Sequence, residues 1–211
     1  MPTIEAVVFD LGGVVFESPL ELIRDYEKRH GLPDYFIARV VGSYGATEGV
    51  WQKLERGEVP LSAFCERFDR DLEAFGHRVS SADLMREIAK YAVVRPEMVA
   101  AIRKIRESGR KVGALTNNWV IGDDHDEQLA PLRAEFDAFV ESCKVGLRKP
   151  DPRIYGVVCE ALGVSPPAVA FLDDMGPNLK AARALGMTTI KVESPGAALR
   201  ELGSVIGLEL S

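Results

Sequence analysis

The chain has 211 residues, 46% of them apolar, with 32 Asp and Glu against 26 Lys and Arg. That length suits one core domain with a sizeable insertion, and a net charge of −6 speaks against a nucleic-acid partner, since affinity for phosphate backbones needs clustered Lys and Arg. No apolar run approaches the ~20 residues of a membrane-spanning helix, and the opening Met1-Pro2-Thr3-Ile4-Glu5 has no basic, signal-like character, so the expectation is a cytoplasmic protein with no membrane partner.

In chain order, the first predicted element is the apolar run Ala6–Phe9, followed by Asp10 and the pair Gly12-Gly13. From about Ser18 to Val93 no buried strand is expected. Leu22, Ile23 and Tyr26 mark one helix face, Ile37, Val40, Val41 and Tyr44 a second, and Leu61, Phe64, Phe68, Leu72 and Phe75 a third, all at steps of three and four residues. Ser80 with Asp83 reads as a further helix start. Cys65 lies here, and Cys143 and Cys159 lie further on. These spacings match no zinc motif, so the three read as reduced thiols packed as small hydrophobes. His30, His77 and His125 are too scattered to form a metal site.

After Pro96 the pattern changes. Met98, Ile102 and Ile105 mark a helix ended by Gly109. Strands are predicted at Val112–Leu115, Ala138–Val140, Val169–Leu172 and Thr188–Val192. Helices are expected from Pro152 to about Leu162, closed by Gly163, and from Asn178 to Leu185, closed by Gly186. Strands apolar on both faces, alternating with helices, predict an α/β fold. The expected core is a three-layer parallel sheet, residues 1–17 and 94–211, with a helical, lid-like insertion, residues 18–93, after the first strand. In such a sheet the insertion leaves from the end where ligands bind.

Polar residues gather at the same ends. Asp10 follows the first strand, Thr116, Asn117 and Asn118 follow the second, Lys149 precedes a Pro-initiated helix, and Asp173, Asp174 and Asn178 follow the fourth. Each alone reads equally well as a turn former, a helix cap or a solvated charge. Together they predict phosphoryl chemistry. Adjacent carboxylates repel unless a cation or donors offset them, and hard Mg2+ prefers a few carboxylate oxygens. Asp10 and Asp174 are the predicted Mg2+ ligands. Thr116 and the amides around Gly12 and Gly13 are placed to bind phosphoryl oxygens, Lys149 to anchor charge, and Asp10 to attack phosphorus.

These residues closely resemble the four motifs of the haloacid dehalogenase superfamily. They are a strand-end nucleophilic Asp, a strand-end Ser or Thr, a Lys or Arg, and an acidic pair, here at Asp10, Thr116, Lys149 and Asp173-Asp174. "LTNNW", "FVESCKVGLRKPDPRIY" and "FLDDMGPNLKAARALGMTTIKV" look like the N-terminal phosphatase domain of soluble epoxide hydrolases and the related domain fused to some acyl-CoA dehydrogenases. The resemblance implies a Rossmann-like core with the insertion, residues 18–93, as a helical cap over the site, catalysis by Asp10, Lys149 and Thr116, and phosphate binding by Thr116, Asn117, Gly12, Gly13 and Lys149. It implies Mg2+ held by Asp10, the Gly12 carbonyl and Asp174, with Asp173 and Asn178 in support. The implied partner is a small phosphorylated substrate, met by a monomer or a homodimer.

One position departs from the family. Its phosphatases usually carry Asp two residues after the nucleophile, where the backbone carbonyl binds Mg2+ and the side chain serves as acid, then base. Gly12 keeps a carbonyl but has no acid–base group, a function worth about 10²–10⁴-fold. Glu17, Asp123, Asp124 and His125 are the candidate substitutes. Two alternatives remain. One is a 2-haloacid dehalogenase, a group that also lacks the second Asp but generally lacks the acidic pair too. The other is a phospho-ligand-binding or regulatory module with negligible turnover.

Overall fold

A computed structural model describes residues 3–45, 48–90, 93–120 and 129–210. Five parallel strands, β1 (Ala6–Phe9), β2 (Lys111–Thr116), β3 (Ala138–Glu141), β4 (Val169–Asp173) and β5 (Thr188–Lys191), form one sheet in the order β3-β2-β1-β4-β5. Their bounds fall within a residue of those predicted. The chain passes from β1 to β2 on one side and later returns to β4 on the other. Strand order therefore reverses beside β1, the position at which open α/β sheets bind ligands. Phe9 pairs with Ala114 on β2 and with Leu172 on β4, which sets Asp10 level with Asp173.

Successive strand residues point to opposite faces, and both faces are covered. Val7, Phe9, Val112, Ala114, Ala170 and Leu172 pack against α6 (Pro96–Glu107) and α9 (Pro195–Ile206). Ala6, Val8, Leu115, Val169 and Phe171 pack against α7 (Pro152–Leu162) and α8 (Gly176–Ala184). This is the expected three-layer α/β architecture. The Asp151 side chain accepts from the Arg153 amide at 2.9 Å to cap α7, and Gly163, at φ 63°, closes it. Helix α8 begins two residues earlier than predicted, because Pro177 is tolerated in a first turn, where its missing N–H leaves no gap.

The insertion holds α1 (Pro19–Arg29), α2 (Phe36–Ser43), α3 (Val50–Glu55), α4 (Leu61–Ala74) and α5 (Ser81–Lys90). Tyr26, Ile37, Val40, Phe64, Phe68, Leu72 and Leu84 make its own buried cluster. Two residues placed on its apolar faces, Tyr44 and Phe75, are exposed instead; each stands just past the last turn of its helix. Glu27 is buried, and its carboxylate accepts from the amides of Tyr35 (3.1 Å) and Ile37 (2.8 Å). The two connections to the sheet run side by side. Phe16 bridges Val94, the Glu17 amide donates to Val93 O (3.0 Å) and the Arg95 amide to Val15 O (2.9 Å). Helix α3 meets the sheet domain through Glu55, which accepts from Arg148 at 2.5 Å, and through the Trp51 ring set edge-on to Trp119. Among the described residues no helix is long and apolar enough to cross a membrane.

Candidate active site

The site begins where β1 ends. The Asp10 amide donates to Leu172 O at 2.9 Å, which ties the strand end to β4. The Asp10 carboxylate accepts from the Leu11 amide at 2.7 Å. A wide turn over Leu11–Val15 then closes with the Phe16 amide on Leu11 O at 2.8 Å. Its two glycines differ. Gly13 has φ 77°, and a Cβ there would lie 2.3 Å from Asp174 Oδ2; glycine alone satisfies both the left-handed backbone and the close approach. Gly12 has φ −65° and ψ 124°, open to any L residue, and a Cβ there would meet nothing nearer than Pro19 Cδ at 3.7 Å.

Three carboxylates and one ammonium converge on this turn. Lys149, 1% exposed, places Nζ 2.8 Å from Asp10 Oδ1 and 2.8 Å from Asp173 Oδ2. Asp173, fully buried, also accepts from the Met175 amide (2.7 Å) and from Asn178 Nδ2 (3.0 Å to each oxygen). Asp10, Asp173 and Asp174 each offer an oxygen within 4.8 Å of the others. Burial pushes Asp10 up to about 8; Lys149 opposes that shift, and the Asp173 charge adds to it. Burial and Asp173 push Asp174 up to about 6. Burial alone would lower Lys149, but the charges of Asp10 and Asp173 outweigh it and hold its pKa above the usual value. The site thus carries more negative charge than its one lysine offsets. A compact oxygen-donor set with an excess of carboxylate charge is the set a hard divalent cation takes, so the residues fit Mg2+.

Thr116 ends β2, buried, beside the turn. Asn117 differs from expectation in detail. Its side chain donates to Lys149 O at 3.0 Å and accepts from the Lys149 amide at 2.8 Å, so the amide group orients the lysine segment rather than facing a ligand. Asn118 turns to Glu141 and Ser142. Thr116, Asn117, Gly12 and Glu17 line one cleft of about 150 Å³, walled by apolar groups including Phe16, Pro19, Ile88 and Phe139. A larger hollow, about 650 Å³, lies at the opposite end of the sheet around Lys111, the first residue of β2. It holds none of these groups, and its cations are engaged: Arg103 with Glu135, Arg106 with Asp137, Arg110 with Ile206 O, Lys111 with Leu162 O.

All nine predicted site residues therefore lie at or beside the ends of β1, β2 and β4. Of the proposed acid–base substitutes, Glu17 lines the cleft, while Asp123, Asp124 and His125 lie outside the described residues. Sequence reasoning missed Arg95. Its guanidinium donates to Gly13 O (2.9 Å) and Val14 O (3.4 Å) and its charge reaches Asp174. It sits 82 residues beyond Gly13, before an ordinary helix, where no spacing rule marks it.

Comparison with known proteins agrees with this geometry. A model of the haloacid dehalogenase-like hydrolases matches residues 4–186. The chain is 36% identical to acyl-CoA dehydrogenase family member 10 of Mus musculus over 97% of its own length and 19% of that protein's. It is 33% identical to bifunctional epoxide hydrolase 2 of Mus musculus over 98% of its length and 39% of that protein's, so it spans well under half of either. With Phosphatase MT3486 of Mycobacterium tuberculosis the match is 31%, over 96% of this chain and 95% of that one. An enzyme of the same family from Bacteroides thetaiotaomicron, solved with magnesium and inorganic phosphate, superposes with a TM-score of 0.60 at 23% identity, covering 89% of this chain and 93% of that one; at that identity the likeness is one of fold. The match over residues 4–186, with Asp10, Thr116, Lys149 and the Asp173-Asp174 pair at one end of one sheet, makes this chain a member of the haloacid dehalogenase-like hydrolases.

Proposed function

We propose that this chain is a Mg2+-dependent phosphatase acting on a small phosphorylated metabolite. The observation that carries the reading is the bridge made by Lys149 between Asp10 and Asp173, with Asp174 inside the same cluster. The phosphatase name of a relative matched along nearly its whole length supports it, as does the magnesium and phosphate held by a protein of the same fold. Asp10, Asp174 and the Gly12 carbonyl would hold Mg2+, which when bound neutralises phosphate charge beside the carboxylates.

The chain's own residues account for the rest. Lys149 holds the Asp10 carboxylate in one orientation, with one oxygen engaged at 2.8 Å. The other oxygen attacks phosphorus, the ester P–O bond breaks, and an aspartyl-phosphate forms. Thr116 and the Gly12 amide receive the phosphoryl oxygens, with glycine letting the backbone approach closely, whereas the Gly13 amide, expected to join them, donates to Glu17 O at 3.4 Å. Water then attacks the same phosphorus and releases phosphate from Asp10. The insertion, residues 18–93, acts as the cap, its Ile88 and Pro19 closing one wall of the cleft. Cys65, Cys143 and Cys159, none of them in a disulfide, accord with a reducing, cytoplasmic setting.

The test is phosphate release from a panel of phosphomonoesters with and without Mg2+, with Asp10→Asn as control. Mg2+-dependent release abolished by Asp10→Asn is expected. Release untouched by that substitution would remove Asp10 as the nucleophile.

A further inference from the structure

Helix α3 and the turn after it touch both connections that flank the site on the β2 side. Trp51 sets its ring edge-on to Trp119, in the β2–β3 connection, with centroids 6.2 Å apart, and Trp119 lines the cleft over Gly12 and Thr116. Gly57, just past α3, has a positive φ of 69°, and a Cβ there would run into Cys143 O, at the start of the β3–α7 connection; glycine lets the two backbones meet this closely. Glu55 reaches the far end of the same connection. It is 8% exposed, and both of its oxygens are used. Oε1 accepts from Trp51 Nε1 at 3.1 Å, one turn back on the helix, and Oε2 accepts from Arg148 Nε at 2.5 Å. Arg148 is the residue before Lys149.

We infer that Glu55 is a positioning residue for the proposed reaction: from the insertion, through Arg148, it fixes the segment that carries Lys149. Lys149 bridges Asp10 and Asp173 only while Nζ stays 2.8 Å from each. Inside the sheet domain its backbone is held by the Asn117 side chain, on the amide at 2.8 Å and on the carbonyl at 3.0 Å. The Arg148–Glu55 pair adds a hold one residue upstream, anchored in the insertion. A single hold leaves the segment a pivot, whereas holds on adjacent residues from two domains fix its rotation and so the direction of the ammonium donors. The pair is also shielded, with side chains 19% and 10% exposed, so water screens it less than a surface pair. Without the Glu55 carboxylate, the Arg148 guanidinium loses this acceptor and turns toward water to solvate its charge, and the backbone that bears Lys149 turns with it.

The inference rests on the phosphatase reading, and its test separates the two. The probe is para-nitrophenyl phosphate with Mg2+, and the readout is the split between kcat and KM. Glu55→Gln and Arg148→Gln should each lower kcat by about 10–100-fold, the loss that follows when a catalytic group shifts by up to about 1 Å. KM should stay within about twofold of the parent, since ground-state binding is untouched. The double variant should lose no more than the worse single one, because both substitutions remove the same contact. Glu55→Asp, which keeps a carboxylate, should recover part of the loss. If Glu55→Gln is poorly folded by thermal melting, Glu55→Asp carries the test, with the same split expected at smaller amplitude. A pair that only fastened the insertion would lower the melting midpoint or raise KM and leave kcat at the parent value. That result, with Asp10→Asn inactive, would overturn the role of Glu55 and leave the phosphatase standing, as would losses that add in the double variant. Full turnover in Asp10→Asn would overturn both.

Discussion

Two adjacent glycines make opposite predictions. Gly13→Ala forces an L residue to φ 77°, a left-handed conformation costing roughly 1–2 kcal/mol. In a chain of this size each kcal/mol moves the melting midpoint by about 2–4 °C, so the backbone penalty alone should lower it by about 2–8 °C. The new Cβ would also sit 2.3 Å from Asp174 Oδ2 and 2.7 Å from its Cγ, so Asp174 must move away from Asp10. Gly12→Ala meets neither obstacle: its φ is −65°, and loss of unfolded-state freedom should stabilise it by about 0.4–1 kcal/mol. The assay is thermal melting of both variants, first without Mg2+ and then across an Mg2+ titration. Gly13→Ala should melt lower and respond weakly to the ion, whereas Gly12→Ala should melt about 1–4 °C higher than the parent and keep its response. If the two behave alike in both measurements, the turn does not pack against Asp174 as described.

Lys149→Met should leave Asp10 and Asp173 facing each other without their shared counterion, and breaking a buried pair in this way costs about 3–5 kcal/mol; a melting midpoint unchanged from the parent would refute the bridge. For pH, the sign follows from Asp10 and Asp174, raised to about 8 and about 6 from 3.8. Folded carboxyls with raised pKa hold protons more tightly than the unfolded chain does, so the stability they lend is complete below about pH 4 and fades through about pH 6 and about pH 8. The metal-free protein should therefore melt lower as pH rises across that window. Mg2+, which binds the ionised forms, should raise the midpoint more at the upper end than at the lower; a gain independent of pH would count against these two carboxylates as its ligands.

The sheet and most of the site were legible in the sequence, for a physical reason. Strands buried on both faces are short apolar runs, and in a parallel sheet whatever follows each run lands at one edge. Asp10, Thr116 and Asp173 could be placed that way. Lys149 lies in a loop, so no strand end marks it; its place between the third and fourth strands, just before a Pro-initiated helix, pointed to the same edge, and its likeness to a family motif reinforced that. Helix α9 was missed although Leu199, Leu202 and Ile206 fall at helical steps between Pro195 and Gly207. The signal was present and unused. Arg95 and the hold of Asn117 on the Lys149 backbone gave no signal, because both act through backbone carbonyls and amides of residues distant in sequence. Periodicity reports which face a residue occupies. It says nothing of what a long polar side chain reaches.

The charge balance separates the remaining readings. A phosphomonoester brings up to two negative charges toward Asp10, into a site that already holds Asp173 and Asp174. Lys149 is the nearest cation, but its ammonium has three donors and two already serve Asp10 and Asp173 at 2.8 Å each. One remaining donor cannot offset an incoming dianion among three carboxylates. A carboxylate monoanion such as a haloacid would face the same repulsion with no gain from Asp174, whose raised pKa marks a charge the protein alone does not compensate. A divalent cation held by Asp10 and Asp174 would resolve both problems, since it would favour their ionised forms and supply positive charge beside the phosphate. The retained acidic pair thus favours metal-assisted phosphoryl transfer over dehalogenation, and it does so whichever residue moves the proton.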